Sequence, residues 1–297
     1  MAQRLGFCVG VLAALGALNV AFAAGAAQPA AAPPLYAFCV ELGAPGLKPR
    51  PLEEQAALLK ELGFDGGGYP LWFGDELDKN LATLDQAGLK AYLFHTQINL
   101  KTPEKPFDPR LPDALAKLKG RPATISVLLV GLPAGDPAGM APAVKALREL
   151  GDLAAKSDLR ISIYNHVNNW TESLPFVMEV VKKADHPRVG ANFNLCHWLK
   201  VDGQRDYCPL LRDNAAKLFA VTINGAQVGA SGWSGGLIQP LDRGDFDNRQ
   251  LLATLREIGY RGPIGLMCYG IADDARAHLG RSRKVWRSWH AAPPAGD

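Results

Sequence analysis

Cysteine is scarce in this chain. There are five in 297 residues: Cys8 near the start, then Cys39, Cys196, Cys208 and Cys268. That is too sparse for a disulfide scaffold, so the core has to come from apolar burial. Charge of one sign is lacking as well. Lys and Arg number 32 against 29 Asp and Glu, a formal net charge of +3, with no basic run or basic-aromatic stripe. The electrostatic footprint of a nucleic-acid partner is missing. No Gly-x-Gly-x-x-Gly or phosphate loop follows the first strand pattern, which removes the usual signature of a nucleotide-binding open sheet. The apolar run Leu5 to Phe22 is marginal in length for a membrane anchor, and nothing basic follows it to halt transfer.

What the N-terminus does carry is the pattern expected of an export leader: Arg4, the apolar run, and then Ala21-Phe22-Ala23, with small residues at the two positions a signal peptidase reads. Residues 1–23 are expected to be a signal peptide cut before Ala24, giving a secreted or periplasmic protein with no membrane contact after cleavage. Residues 24–34 read as an Ala/Pro-rich linker, 35–290 as one domain and 291–297 as a disordered tail. The mature length suits a β/α barrel, and 48% of the residues are hydrophobic, enough for a sizeable core.

From Leu35 onward short apolar runs alternate with helical patterns, joined by Gly, Pro, Asn and Asp. Strands are expected at 36–41, 64–69, 90–98, 125–130, 160–166, 189–195, 218–223 and 264–269. Helices are expected from about Pro51 to Gly63, then at 75–87, 111–118, 141–155, 174–184, 248–258 and 273–289. The second strand is the weakest, because Gly66-Gly67-Gly68 has little β-propensity. Eight such units form either a closed barrel or a doubly wound sheet. The count of eight and the missing phosphate loop favour a single α/β domain, a (β/α)8 TIM barrel.

In a barrel the working face is built from the C-terminal strand ends. Polar residues gather there: Glu41 after strand one, His95 and Gln97 on strand three, Tyr164, Asn165 and His166 on strand five, Asn194 and His197 after strand six, Thr222 and Asn224 on strand seven, and Tyr269 on strand eight. Any one histidine is readily a hydrogen-bonded, partly buried imidazole with no further role. Three converging on one face suit a polyhydroxylated ligand, whose hydroxyls need paired donors and acceptors. Trp170, Trp198 and Trp233 fall in loops on the same face, where they either cover the barrel mouth or stack on a sugar ring. A phosphate would call for clustered Arg or Lys, so the expected partner is a neutral small-molecule carbohydrate.

Four passages carry a family resemblance: Ile163-Tyr164-Asn165-His166, the run from Val189 to Lys200, Gln239 to Asp247, and Gly259 to Leu266. The chain resembles the xylose isomerase-like barrel superfamily of sugar phosphate isomerases and epimerases, in particular its exported branch. That resemblance implies a divalent metal held by Glu, Asp, His and Glu at the ends of strands five to eight. Here Tyr164, Asn194, Asn224 and Met267 stand at those places, and only the neighbouring His166 and His197 are kept. None of the four is an anionic ligand, and hard divalent cations want carboxylate oxygens. No metal or other cofactor is therefore expected.

Two readings remain open. One is a metal-independent sugar isomerase or epimerase with His166 or His197 as acid/base and Tyr164 as proton donor, Glu41, His95, Gln97, Asn165, Asn194, Trp198, Lys200, Asn224 and Tyr269 binding substrate. The other is a barrel that binds carbohydrate without turning it over. A repair endonuclease conflicts with the charge and the missing ligands. Asp245 and Asp247 are expected to cap the following helix. The Asn169-Trp170-Thr171 sequon is a chance-level match. Cys39 and Cys268 lie on neighbouring strands, with no bond expected between them.

Overall fold

The computed structural model describes residues 32–291; the expected signal peptide, most of the linker and residues 292–297 lie outside the described residues. Eight strands run in chain order: β1 Leu35–Phe38, β2 Gly66–Pro70, β3 Lys90–Asn99, β4 Thr124–Val130, β5 Arg160–Tyr164, β6 Val189–Asn194, β7 Leu218–Ile223 and β8 Ile264–Met267. Each pairs in parallel with the next, and β8 returns to β1 through Leu35 opposite Ile264 and Phe38 opposite Met267, closing the barrel. The expected closed α/β barrel is the observed fold. No helix among the described residues is long and apolar enough to cross a membrane.

The helices are α1 Leu52–Leu62, α2 Gly74–Ala87, α3 Leu111–Lys117, α4 Met140–Lys156, α5 Leu174–Ala184, α6 Leu195–Val201, α7 Tyr207–Asp213, α8 Asn248–Glu257 and α9 Ala275–His290. Their buried stripes, such as Leu77, Leu81 and Leu84 on α2, face the sheet at helical spacing. Gly63 and Gly88 end α1 and α2 at positive φ of 78° and 74°, the left-handed cap that glycine adopts without strain. α6 and α7 were not among the expected helices. The first follows β6 with no turn residue between, because Asn194 ends the strand and caps the helix at once, its side chain accepting from the His197 N–H at 3.4 Å.

The weak second strand has a packing reason. A Cβ at Gly66 would run into the Lys90 carbonyl, and one at Gly68 would meet the Phe38 ring at 2.8 Å. Strand propensity is given up so that β2 can lie close to its neighbours. Four strands also end earlier than periodicity suggests, β6 by a single residue at Asn194. β1 stops at Phe38 because Cys39 and Glu41 both take φ near 58°, outside the β region. β5 ends at Tyr164 and β8 at Met267, so His166 and Tyr269 belong to loops.

Candidate functional site

A cavity of about 520 Å³ opens at the C-terminal ends of the strands, within the usual range for small-molecule sites. β3 supplies His95 and Gln97, β5 ends in Tyr164, the loop after it supplies His166 to Asn169, and the start of α6 supplies Cys196 and His197. Trp233 reaches in from the Gly-rich excursion after β7, and Met267 and Tyr269 close the far side; Phe38, Leu42, Leu128 and Ile238 supply apolar wall. Among the described residues no Asp, Glu, Lys or Arg lines it.

Three rings form its centre. The His166 and His197 ring centroids are 4.1 Å apart, and Tyr164 meets both edge-on at 5.5 and 5.6 Å. Trp233 packs on His197 at 5.2 Å. The two backbone groups of one residue, Val167, set the protonation pattern of the pair. His166 Nδ1 lies 2.8 Å from the Val167 carbonyl oxygen, which only accepts, so that nitrogen carries the hydrogen. The Val167 N–H donates to His197 Nδ1 at 3.3 Å, so that nitrogen is bare. Neutral His166 therefore offers Nε2 as an acceptor, while neutral His197 carries its hydrogen on Nε2.

Burial keeps this centre uncharged. It lowers the His166 pKa below the usual imidazole value, against the bond to Val167, which favours the charged form. It takes His197 well below that value, with repulsion from His166 adding to the effect. His95 falls to about 4 for the same two reasons. Desolvation pushes the Cys39 thiol up to about 12 and raises the Tyr164 hydroxyl well above its ordinary range. At neutral pH the cavity is a polar, hydrogen-bonding surface without net charge.

Of the residues singled out from sequence, His95, Gln97, Tyr164, His166, His197 and Tyr269 come together here. Six others do not. Asn165 is consumed in tying β5 to β6: its Oδ1 accepts from the Asn194 N–H at 2.9 Å and its Nδ2 donates to the Asn194 carbonyl at 3.3 Å. Asn194 stands behind the centre, donating through Nδ2 to the Tyr164 hydroxyl at 2.7 Å. Asn224 pins the Gly-rich excursion by donating to the Gly225 and Leu237 carbonyls. Trp198 is fully buried against Phe193 and Tyr207, outside the cavity. Lys200 donates to the Ser231 carbonyl at 2.7 Å. Glu41, turned aside by its positive φ, pairs with Arg50, which also reaches Asp274.

Trp170 is also buried, donating to the Asp136 carbonyl at 2.8 Å, so of the three loop tryptophans only Trp233 reaches the cavity. Asp247 caps α8, accepting from the Arg249 and Gln250 N–H groups, whereas Asp245 holds Gln227 and the Val228 N–H. Cys39 and Cys268 are free thiols. Sequence reasoning missed Val167, which acts through its backbone and so leaves no side-chain signal; Cys39 and Cys196 also line the cavity.

The places where the resemblance implies metal ligands are engaged otherwise. The Tyr164 hydroxyl accepts from Asn194, the Asn224 amide faces two carbonyls, and Met267 offers only a thioether. Among the described residues no three His, Cys, Asp or Glu side chains come together as a metal-binding group. This donor set does not fit a hard divalent cation.

The comparisons with known proteins agree with the architecture. A stretch of 132 residues is 32% identical to a 3-dehydroshikimate dehydratase from Pseudomonas putida, covering 41% of this chain and 20% of that one. The chain thus spans about a fifth of the curated relative it matches. Among solved structures, an AP endonuclease, family 2, from Brucella melitensis superposes with a TM-score of 0.64 at 17% identity, over 86% of this chain and 98% of that one. A 3-keto-D-glucoside 4-epimerase from E. coli gives 0.63 at 18% identity, over 84% and 99%. At such identities these likenesses speak for the fold alone. The model of the xylose isomerase-like TIM barrel matches residues 56–288, and the chain belongs to that family.

Proposed function

We propose that this chain is an exported sugar isomerase or epimerase that works on a neutral carbohydrate or sugar derivative without a divalent metal. The observation that carries the reading is the pair of imidazoles held in opposite tautomers by Val167. His166 Nε2 takes the proton from a carbon beside a substrate carbonyl. His197 gives its Nε2 hydrogen to the carbonyl oxygen, and a neutral enediol results. His166 returns its proton to the adjacent carbon while His197 Nε2 recovers a proton from the enediol hydroxyl that becomes the new carbonyl, which completes an isomerisation; in an epimerisation the enediol turns its other face to His166, the same carbon is reprotonated and His197 recovers the proton it gave. Tyr164, whose oxygen accepts from Asn194, keeps its own hydroxyl hydrogen for a substrate oxygen. The uncharged lining suits a neutral ligand, a solved structure of the same fold is named as an epimerase of a keto-glucoside, and export rests on the leader pattern of residues 1–23.

A second reading, binding without turnover, is favoured by one observation. Burial weakens both imidazoles as bases, and catalytic bases work best near the operating pH. The test is exchange of carbon-bound hydrogen with D2O, followed by NMR over a panel of aldoses, ketoses and keto-glycosides after dialysis against a chelator. Exchange by the chelated protein, lost in both His166→Gln and His197→Gln with the fold intact, supports the enzyme. Saturable binding without exchange supports the second reading. A stoichiometric, tightly held divalent ion, or activity that the chelator removes, overturns metal independence.

A further inference from the structure

α6 carries His197 in its first turn and Lys200 three residues on, a spacing that puts both side chains on one face of the helix. Lys200 is exposed; its Nζ donates to the Ser231 carbonyl at 2.7 Å and stands 5.8 Å from the centre of the Trp233 ring. Trp233 in turn lies 5.2 Å from the His197 ring. One short helix therefore bears His197 and also the side chain that holds the loop lying against it.

That loop is the Gly-rich excursion, residues 225–240. Its base is well tied: Gly225 and Gln239 exchange backbone bonds, Asn224 donates to the Leu237 carbonyl, and Asp245 accepts from Gln227 and from the Val228 N–H. Its tip, Gly229 to Gly236, is held differently. The other hydrogen bonds of the tip stay inside the excursion, so among the described residues the Lys200 bond is the one that reaches it from another element. Four of its eight residues are glycine, and Trp233 is the single large side chain. A segment of that kind has little packing of its own to resist local opening.

Three rings surround His197. Tyr164 ends β5 and His166 follows it, so both are set by the barrel, whereas Trp233 is carried by the excursion. His197 is 6% exposed, and burial is the main cause that keeps it neutral; the charge acting on it is that of His166 and not that of Lys200. We propose that Lys200 is a positioning residue: by holding Ser231 it seats Trp233 on His197 and keeps water from the imidazole that gives its hydrogen to the substrate carbonyl. Expelling water strengthens the electrostatic interactions made inside a site. The role of that imidazole rests on the sugar-site reading above; the shielding of it does not.

Two measurements on the intact protein test this: hydrogen exchange read by mass spectrometry, and NMR titration of the histidine rings, with the His197 signal assigned by its loss in His197→Gln. In Lys200→Met, which keeps the stem and loses the donor, exchange across residues 229–236 is expected to quicken about tenfold or more. The His197 midpoint is expected to climb by about one pH unit or more towards the ordinary imidazole value as water reaches the ring. Lys200→Arg, which keeps a donor and the charge, is expected to behave as the parent does. Trp233→Ala leaves Lys200 in place and is expected to move the His197 midpoint the same way, which separates loss of cover from loss of a charge. Lys200→Ala serves if the methionine variant does not fold, as judged by its thermal midpoint. Unchanged exchange at the tip overturns the anchor, as does an arginine variant that behaves like the methionine one. Quicker exchange with the His197 midpoint unmoved overturns the shielding. None of these readouts uses a sugar, so they hold for a barrel without turnover, and their failure leaves the D2O test of turnover untouched.

Discussion

His278 on α9 is fully buried, and neither of its ring nitrogens has a partner. Burial, the largest cause, and the nearby Arg281 and Arg50 lower its pKa to about 4, against the opposing pull of Asp273 and Asp274. An unfolded histidine titrates near 6.5. The folded value lies below the unfolded one, so the unfolded chain takes up the proton first. Stability from this group is whole above pH 6.5 and is lost as the pH falls towards 4. Integrating proton uptake between pH 7.5 and pH 5 gives a loss of about 2 kcal/mol for this one residue. The perturbation is His278→Leu, which fills similar space and cannot titrate. Urea unfolding at the two pH values measures it: the variant should gain about 2 kcal/mol on the parent protein in going from pH 7.5 to pH 5. An unchanged difference between the two proteins at both pH values would refute the reasoning, and would mean that His278 titrates in the fold as it does in the unfolded chain.

Two substitutions separate scaffold from site. Asn165→Ala should cost about 2–3 kcal/mol, because two buried hydrogen bonds are lost and the Asn194 N–H is left unpaired; denaturant titration reads this, and a change under 1 kcal/mol would show that β5 and β6 are held together by other means. Glu41→Gln should cost about 2 kcal/mol by weakening the charged bonds to Arg50, yet leave sugar affinity unchanged, since Glu41 lies outside the cavity; a loss of affinity at unchanged stability would return Glu41 to the site.

Seven of the eight strands were legible because short runs rich in apolar and β-branched residues stand between turn signals, as in Ile125 to Val130, where Ser126 is the one polar residue. The eighth, β2, was legible by position more than by composition, since its glycines answer to neighbours distant in sequence, the Lys90 carbonyl and the Phe38 ring. α6 and α7 stayed hidden for a related reason. For α6, one residue, Asn194, serves as strand end, helix cap and hydrogen-bond donor to Tyr164, and no turn residue stands before the helix; α7 is a single short helix, announced only by Gly203 and its capping Asp206.

The site was legible as a face and not as a set of side chains, and the difference is geometric. A strand end presents alternate residues inward, so Tyr164 turns into the cavity while Asn165 turns into the β5–β6 contact. Past the strand that alternation lapses: Cys39 and Glu41 share one unusual φ, but the first lines the cavity and the second pairs with Arg50. Composition points to hydroxyl-matching groups, whereas chemistry depends on which nitrogen of each imidazole carries the hydrogen. That is decided by the two backbone groups of Val167, which any residue at position 167 except proline would possess. A family search keyed to carboxylate ligands would find nothing at this centre, because here the backbone N–H and C=O of one residue, rather than the charge of a side chain, make the two histidines different from each other.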